Sequence, residues 1–156
     1  MIKMKQLILK VSEEFGLDSN IVFGIIMTES NMNPCAIRYE TNYKWLYKPN
    51  SIRPRTCSFS TEIMMQSCSW GLMQVMGATL RELGFKGWLT SILLSKEQQL
   101  IYGCRYFKSK MNKYNNLNDA IVSYNSGHPM KKDGTYINQY YLEKVLKYAN
   151  SFDGDI

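Results

Sequence analysis

One histidine, His128, and four cysteines with no CxxC pair among them (Cys35, Cys57, Cys68 and Cys104) deny this chain the usual ligand sets of a structural zinc site, so no metal and no cofactor is expected. No run approaches the ~20 apolar residues of a bilayer span, which excludes membrane insertion. No block of five like charges marks a nucleic-acid-binding tail, although nineteen Lys and Arg against thirteen Asp and Glu leave a formal charge of +6. That excess favours a polyanionic partner such as nucleic acid, anionic lipid or bacterial cell wall. Residues 1–15 begin with basic and apolar side chains, but Lys10, Glu13 and Glu14 interrupt the run too early for a signal-peptide core, so it reads as a first helix and no signal peptide is expected. With 156 residues, 45% of them hydrophobic and 21% charged, the chain fits one domain over 1–156 with a real core. Four cysteines allow three disulfide pairings, and three of the four cysteines (Cys35, Cys57 and Cys68) lie within 35–68. Bridges there would suit a protein working outside the reducing cytoplasm; free, partly buried thiols are the alternative.

Helical spacing of Ile2, Leu7, Ile8, Val11 and Phe15 predicts a helix over 2–15, with Gly16 as its left-handed cap. Asp18 is placed to cap a second helix over 20–30, whose nearly unbroken apolar character marks it as central and buried. From 31 to 67 the pattern breaks, with Pro34, Pro49 and Pro54 among scattered Asn, Thr and Ser, and a long, partly helical insertion over about 35–68 is expected. Its Tyr39, Tyr43, Trp45 and Tyr47, interleaved with Arg38, Lys44, Lys48, Arg53 and Arg55, form either one wall of a sugar-binding groove or a satellite core under a long loop. Leu72, Val75, Met76, Thr79, Leu80 and Leu83 predict a helix over 70–83 that stops at Gly84. Ser95-Lys96-Glu97-Gln98 has the form of a capping box opening a helix to about Met111. A shorter helix follows, with Asn118 or Asp119 near its start and Tyr124 near its end, and residues 137–150 make the last. Alternating strand patterns are scarce and there is no internal repeat, so the fold is expected to be mainly α.

Three stretches carry the chemistry: Thr28-Glu29-Ser30, Ser69-Trp70-Gly71-Leu72-Met73-Gln74 and Ser123-Tyr124-Asn125-Ser126-Gly127. Glu29 ends the apolar run Ile21-Val22-Phe23-Gly24-Ile25-Ile26-Met27, and a carboxyl half-buried there would stay protonated near neutral pH, as a general acid must.

The order Glu29-Ser30-Asn31-Met32-Asn33-Pro34, Gly71-Leu72-Met73-Gln74-Val75, Ala120-Ile121-Val122-Ser123-Tyr124-Asn125-Ser126-Gly127 and Tyr141-Leu142-Glu143-Lys144-Val145, with Tyr102-Gly103 and Tyr106-Phe107 between, resembles the soluble lytic transglycosylase family. This family lies within the lysozyme-like superfamily, which also holds goose-type lysozymes. None of these motifs is specific alone; their order over residues 20–150 is. The departure is the 40 residues from Glu29 to Ser69, longer than the minimal form of the family. The run Ala36-Ile37-Arg38-Tyr39-Glu40 is similar to a segment of some phage-type muramidases.

The resemblance implies a lysozyme-like helical domain that cleaves the β-1,4 bond between N-acetylmuramic acid and N-acetylglucosamine in peptidoglycan glycan strands. Glu29 would be its single general acid and base, giving 1,6-anhydro products. It further implies that Tyr124 sets its hydroxyl near Glu29, that Ser30 orients the carboxylate or the substrate's acetamido group, that Met73 and Gln74 line the sugar subsites, and that Tyr141 belongs to the same groove. Asn125 with Gly127 either contacts substrate or ends a helix, and His128 is a loop residue without a matched role. A monomer is expected, made in the cytoplasm and acting on the cell wall after assisted release, as in bacteriolytic phage endolysins. The alternative is an inverting muramidase, which needs a second carboxylate about 6.5–9.5 Å from the first. Glu40 and Glu62 are the candidates, although a solvated surface place is the simpler reading of both. A non-catalytic glycan binder has no use for a buried acid, and a nucleic-acid binder would need a basic recognition stripe that is absent.

Overall fold

Helix α2 (Ser19–Ser30) is buried all round: Ile21, Val22, Phe23, Gly24, Ile25 and Ile26 are consecutive and all inside, so the helix has no solvent face over nearly two turns. A computed structural model describes residues 4–152 and sets this helix among the others. Asp18 caps it as expected, accepting from the Asn20 N–H, and Asn31, in the left-handed conformation, ends it. Helix α1 (Met4–Glu14) packs on one side; Ile2, expected on the same helix, lies outside the described residues. The long α6 (Lys96–Tyr114) begins at Ser95, whose hydroxyl accepts from the Gln98 N–H. Helices α7 (Leu117–Ser126) and α8 (Gln139–Ala149) close the bundle. The cap of α7 is Asn116, accepting from the Asp119 N–H, just ahead of the expected start. Helix α8 lies so close to α2 that a Cβ on Gly24 would stand 2.3 Å from the Val145 carbonyl oxygen, and only glycine permits that approach.

The predicted helix over 70–83 is mostly absent. Cys68–Trp70 is a strand (β2) and Val75–Met76 another (β3); only Gly77–Glu82 is helical (α5). Gly71 (φ +68) and Gln74 (φ +47) bound the turn between the strands, and two left-handed residues three apart cannot belong to one right-handed helix. The apolar spacing came from burial of the turn itself, with Leu72 and Met73 wholly inside.

The region 35–68 is partly helical, with α3 (Pro49–Ile52) and α4 (Phe59–Gln66), but it also supplies strand β1 (Ile37–Tyr39). The strands form an antiparallel sheet in the order β1-β2-β3, with Ile37 opposite Trp70 and Ser69 opposite Met76. A second unexpected pair, β4 (Lys131–Lys132) with β5 (Thr135–Tyr136), turns through Asp133-Gly134, both at positive φ, which is the chemistry of a two-residue type I′ hairpin. A 3₁₀ segment, Leu89–Leu94, precedes α6.

Helix α4 is fixed to α5 by a buried ion pair. The Arg81 Nε and Nη2 donate to the two Glu62 oxygens at 2.7 and 2.9 Å, and both side chains are fully inside. Among the described residues no helix is long and apolar enough to cross a membrane, and no three His, Cys, Asp or Glu converge as a metal site. All four cysteines are unpaired; Cys35 is exposed, and burial pushes the Cys104 thiol up to about 12.

Candidate active site

Glu29 is the penultimate residue of α2, half-buried, and it lines a cleft of about 730 Å³. Its surroundings come from every motif singled out in the sequence, through contacts that differ in part from those expected. Burial raises the affinity of its carboxyl for a proton above the ordinary value. The Tyr141 hydroxyl and the charges of Arg38 and Lys144 pull the other way without overcoming it.

Tyr141, on α8, is the side chain in direct contact: its hydroxyl donates to Glu29 Oε1 at 2.7 Å. Tyr124, expected to present its hydroxyl to Glu29, donates instead to the Met73 carbonyl at 2.7 Å, while its buried ring lines the cleft and packs against Tyr106. Burial, with the Glu29 charge nearby, holds both tyrosines well above the usual phenol value, so both hydroxyls stay protonated. The hydrogen bond to Glu29 follows from the close approach of α2 and α8 at Gly24.

Ser30 does not reach toward the carboxylate. Its hydroxyl is directed at the Leu72 carbonyl (2.8 Å) and the Ile26 carbonyl (3.2 Å), tying the end of α2 to the Gly71–Gln74 turn. Met73 is wholly buried and lines no part of the cleft; its side chain lies where a Cβ on Gly103 of α6 would be. What it offers the site is the backbone carbonyl that receives Tyr124. Gln74 does line the cleft, but its amide is fully engaged: Nε2 donates to the Gly71 and Ala36 carbonyls at 2.8 and 3.0 Å, and Oε1 accepts from Ser69 at 2.7 Å. Asn125 lines the cleft too, its Oδ1 accepting from Asn138 Nδ2 at 3.2 Å.

Gln99 of α6 is a site-building residue that sequence reasoning missed. Its Oε1 accepts from the Leu72 N–H (2.8 Å) and its Nε2 donates to the Pro34 and Ile92 carbonyls, pinning the turn and the chain after α2 together. A Cβ on Gly71 would sit 2.3 Å from that Oε1. The only signal was an uncharged polar residue on the apolar face of α6.

The aromatic insertion faces the cleft in part. Tyr43 and Trp45 line it, edge to face at 5.6 Å, and Trp45 is 76% exposed, which decides against a satellite core for that ring. The two candidate second carboxylates part company. Glu62 is neither solvated nor in the cleft: burial favours its neutral form, but the Arg81 guanidinium and the Gln66 amide outweigh it and hold the carboxyl below its ordinary range. Glu40 lines the cleft, ion-paired to Arg38 at 2.8 Å.

With the cleft so arranged, the chain can be compared with known families. Residues 6–145, from α1 to α8, match the transglycosylase SLT domain. The chain belongs to that family. It is therefore a lysozyme-like peptidoglycan lytic transglycosylase, an enzyme that cleaves glycan strands. The chain matches no curated protein and no solved structure.

Proposed function

We propose that this transglycosylase domain cuts the bond between N-acetylmuramic acid and N-acetylglucosamine with Glu29 acting first as acid and then as base, leaving 1,6-anhydro ends. One observation carries the reading: a single half-buried carboxyl with a raised proton affinity faces the cleft, while Glu40, the other carboxylate there, is already engaged by Arg38.

Tyr141 donates to Oε1, so the carboxyl proton resides on Oε2 and is delivered to the bridging glycosidic oxygen as the C1–O bond breaks. The acetamido oxygen of the muramic acid closes on C1, and the N-acetylglucosamine leaves with its new O4–H. Glu29, now a carboxylate and more strongly bonded to Tyr141, removes the proton from the C6 hydroxyl. The C6 oxygen bonds to C1, the acetamido oxygen departs, and the carboxyl is protonated again; no water is consumed. General acid help of this kind is worth roughly 10²–10⁴-fold. Tyr43 and Trp45 offer flat apolar faces for pyranose rings, and Gln74, Asn125 and Tyr124 complete the subsites around Glu29. The domain works as a monomer on the cell wall, reached after release by a separate membrane-opening step. Support for a phage-type bacteriolytic setting is the similarity of residues 36–40 to phage-type muramidases.

Digestion of purified peptidoglycan followed by mass spectrometry of the muropeptides tests the reaction. Anhydro ends, lighter by one water, are expected. Reducing ends would overturn the single-carboxylate route and turn attention to Glu40 as the base for water.

A further inference from the structure

The cleft wall at residues 41–47 has no regular secondary structure, yet it carries Tyr43 and Trp45. Its two ends are held. At the start, the Glu40 N–H donates to the Ser67 carbonyl at 2.9 Å, extending the β1–β2 ladder. At the far end, Gln66 treats Tyr47 as a strand would: Oε1 accepts from the Tyr47 N–H at 2.7 Å and Nε2 donates to the Tyr47 carbonyl at 3.0 Å. The same Nε2 donates to Glu62 Oε1 at 2.9 Å, and Glu62 is gripped in turn by Arg81. Gln66, Glu62 and Arg81 are all at or within 1% of complete burial. A fully satisfied buried polar network of this kind is rigid, and it fixes the orientation of whatever it holds.

Resting on the reading of this cleft as the glycan site, we propose that Gln66 is a positioning residue that sets glycan affinity through the Tyr47 backbone, by holding Trp45 against the cleft as a stacking face for one sugar ring. An exposed indole on an untethered loop would lose much of its stacking in ordering that loop on binding. Gln66 touches no substrate, and Glu29 is reached through other elements.

The test is a double-mutant cycle read as Kd for solubilised glycan strands by titration calorimetry, in the Glu29→Gln background so that the cycle scores binding alone. Trp45→Ala removes the ring, and Gln66→Met keeps the buried volume while deleting both bonds to Tyr47. Each is expected to weaken binding by about three- to ten-fold. The pair together should be no weaker than Trp45→Ala alone. With Glu29 restored, Gln66→Met should raise KM by the same factor while its kcat stays within about two-fold and its pH profile does not move, which separates positioning from general loss of structure. Multiplying effects in the double variant, or unchanged affinity in a folded Gln66→Met protein, overturns the proposal. Hydrogen exchange on the unmutated protein gives a readout independent of whether Gln66→Met folds: the Tyr47 amide should exchange as slowly as those of α4, and fast exchange there overturns it. Continued cutting by Glu29→Gln would sink the acid–base reading instead.

Discussion

The Tyr141 hydroxyl, 112 residues along the chain from Glu29, donates to Glu29 Oε1 at 2.7 Å. It favours the carboxylate, against the burial that favours the acid. Its removal should therefore raise the affinity of Glu29 for its proton further. In Tyr141→Phe the alkaline limb of kcat/KM is expected to move to higher pH, because activity needs the protonated acid. kcat should fall by about ten-fold, since the carboxylate formed in the first step loses its donor. A limb that moves to lower pH would contradict this contact.

Glu29→Gln is nearly isosteric and cannot give up a proton, so glycan release should fall by roughly 10²–10⁴-fold. Its effect on stability depends on pH in a definite direction. Because the folded carboxyl holds its proton more tightly than the unfolded one, the folded state binds more protons, and stability is lost as pH rises from the ordinary value of 4.5 through the raised folded value. Glutamine escapes that loss. The melting temperature of Glu29→Gln should match the parent at pH 4 and exceed it at pH 8; the reverse order would mean that the carboxyl is not desolvated.

The buried Glu62–Arg81 pair has the opposite sign. Its carboxyl is held below the ordinary range, so its contribution is present above pH 4.5 and is lost as pH falls through the lower folded value. Arg81→Met should cost about 3–5 kcal/mol by leaving Glu62 buried and unpaired, while the double change Glu62→Met with Arg81→Met should recover most of it. Denaturant titrations at pH 7 and pH 3 measure both effects. A single Arg81→Met variant as stable as the double would show that the pair is not enclosed as described.

Gly24→Ala tests the approach of α8 to α2. The added Cβ would fall 2.3 Å from the Val145 carbonyl, a backbone atom that can yield only if the helix moves. A loss of about 1–3 kcal/mol is expected, accompanied by a fall in activity of the folded protein as Tyr141 is carried away from Glu29. Full activity in a destabilised Gly24→Ala protein would show that the tyrosine contact does not depend on that packing.

Helices with strong end signals were legible in the sequence. Asp18 and Ser95 cap where their side chains predict, and the place of Glu29 at the end of a buried helix followed from the apolar run before it. The Gly71–Gln74 turn was not, because a buried turn and a buried helix put the same apolar residues inside; what distinguishes them is positive φ at Gln74, a position sequence gives no reason to suspect. The same limit applied to side-chain direction. Tyr124, Ser30, Met73 and Tyr141 all lie within the chain segments that build the site, but only three-dimensional packing decides that Ser30 turns to Leu72, that Met73 turns to Gly103, and that Tyr141 rather than Tyr124 meets the carboxyl. Glu62 was misplaced for a related reason: its partner Arg81 lies 19 residues away on another helix, and no local pattern links them.

The position of Glu29 one residue before the end of α2 has an electrostatic consequence of its own. Aligned peptide dipoles leave about half a negative charge at a helix's carboxyl terminus, so the helix that carries Glu29 itself resists the second negative charge of an ionised side chain. The same side chain in the first turn of a helix would be drawn toward ionisation. Placing the acid in the last turn makes the backbone of α2 a contributor to its proton affinity, one that no substitution of a neighbouring side chain can remove.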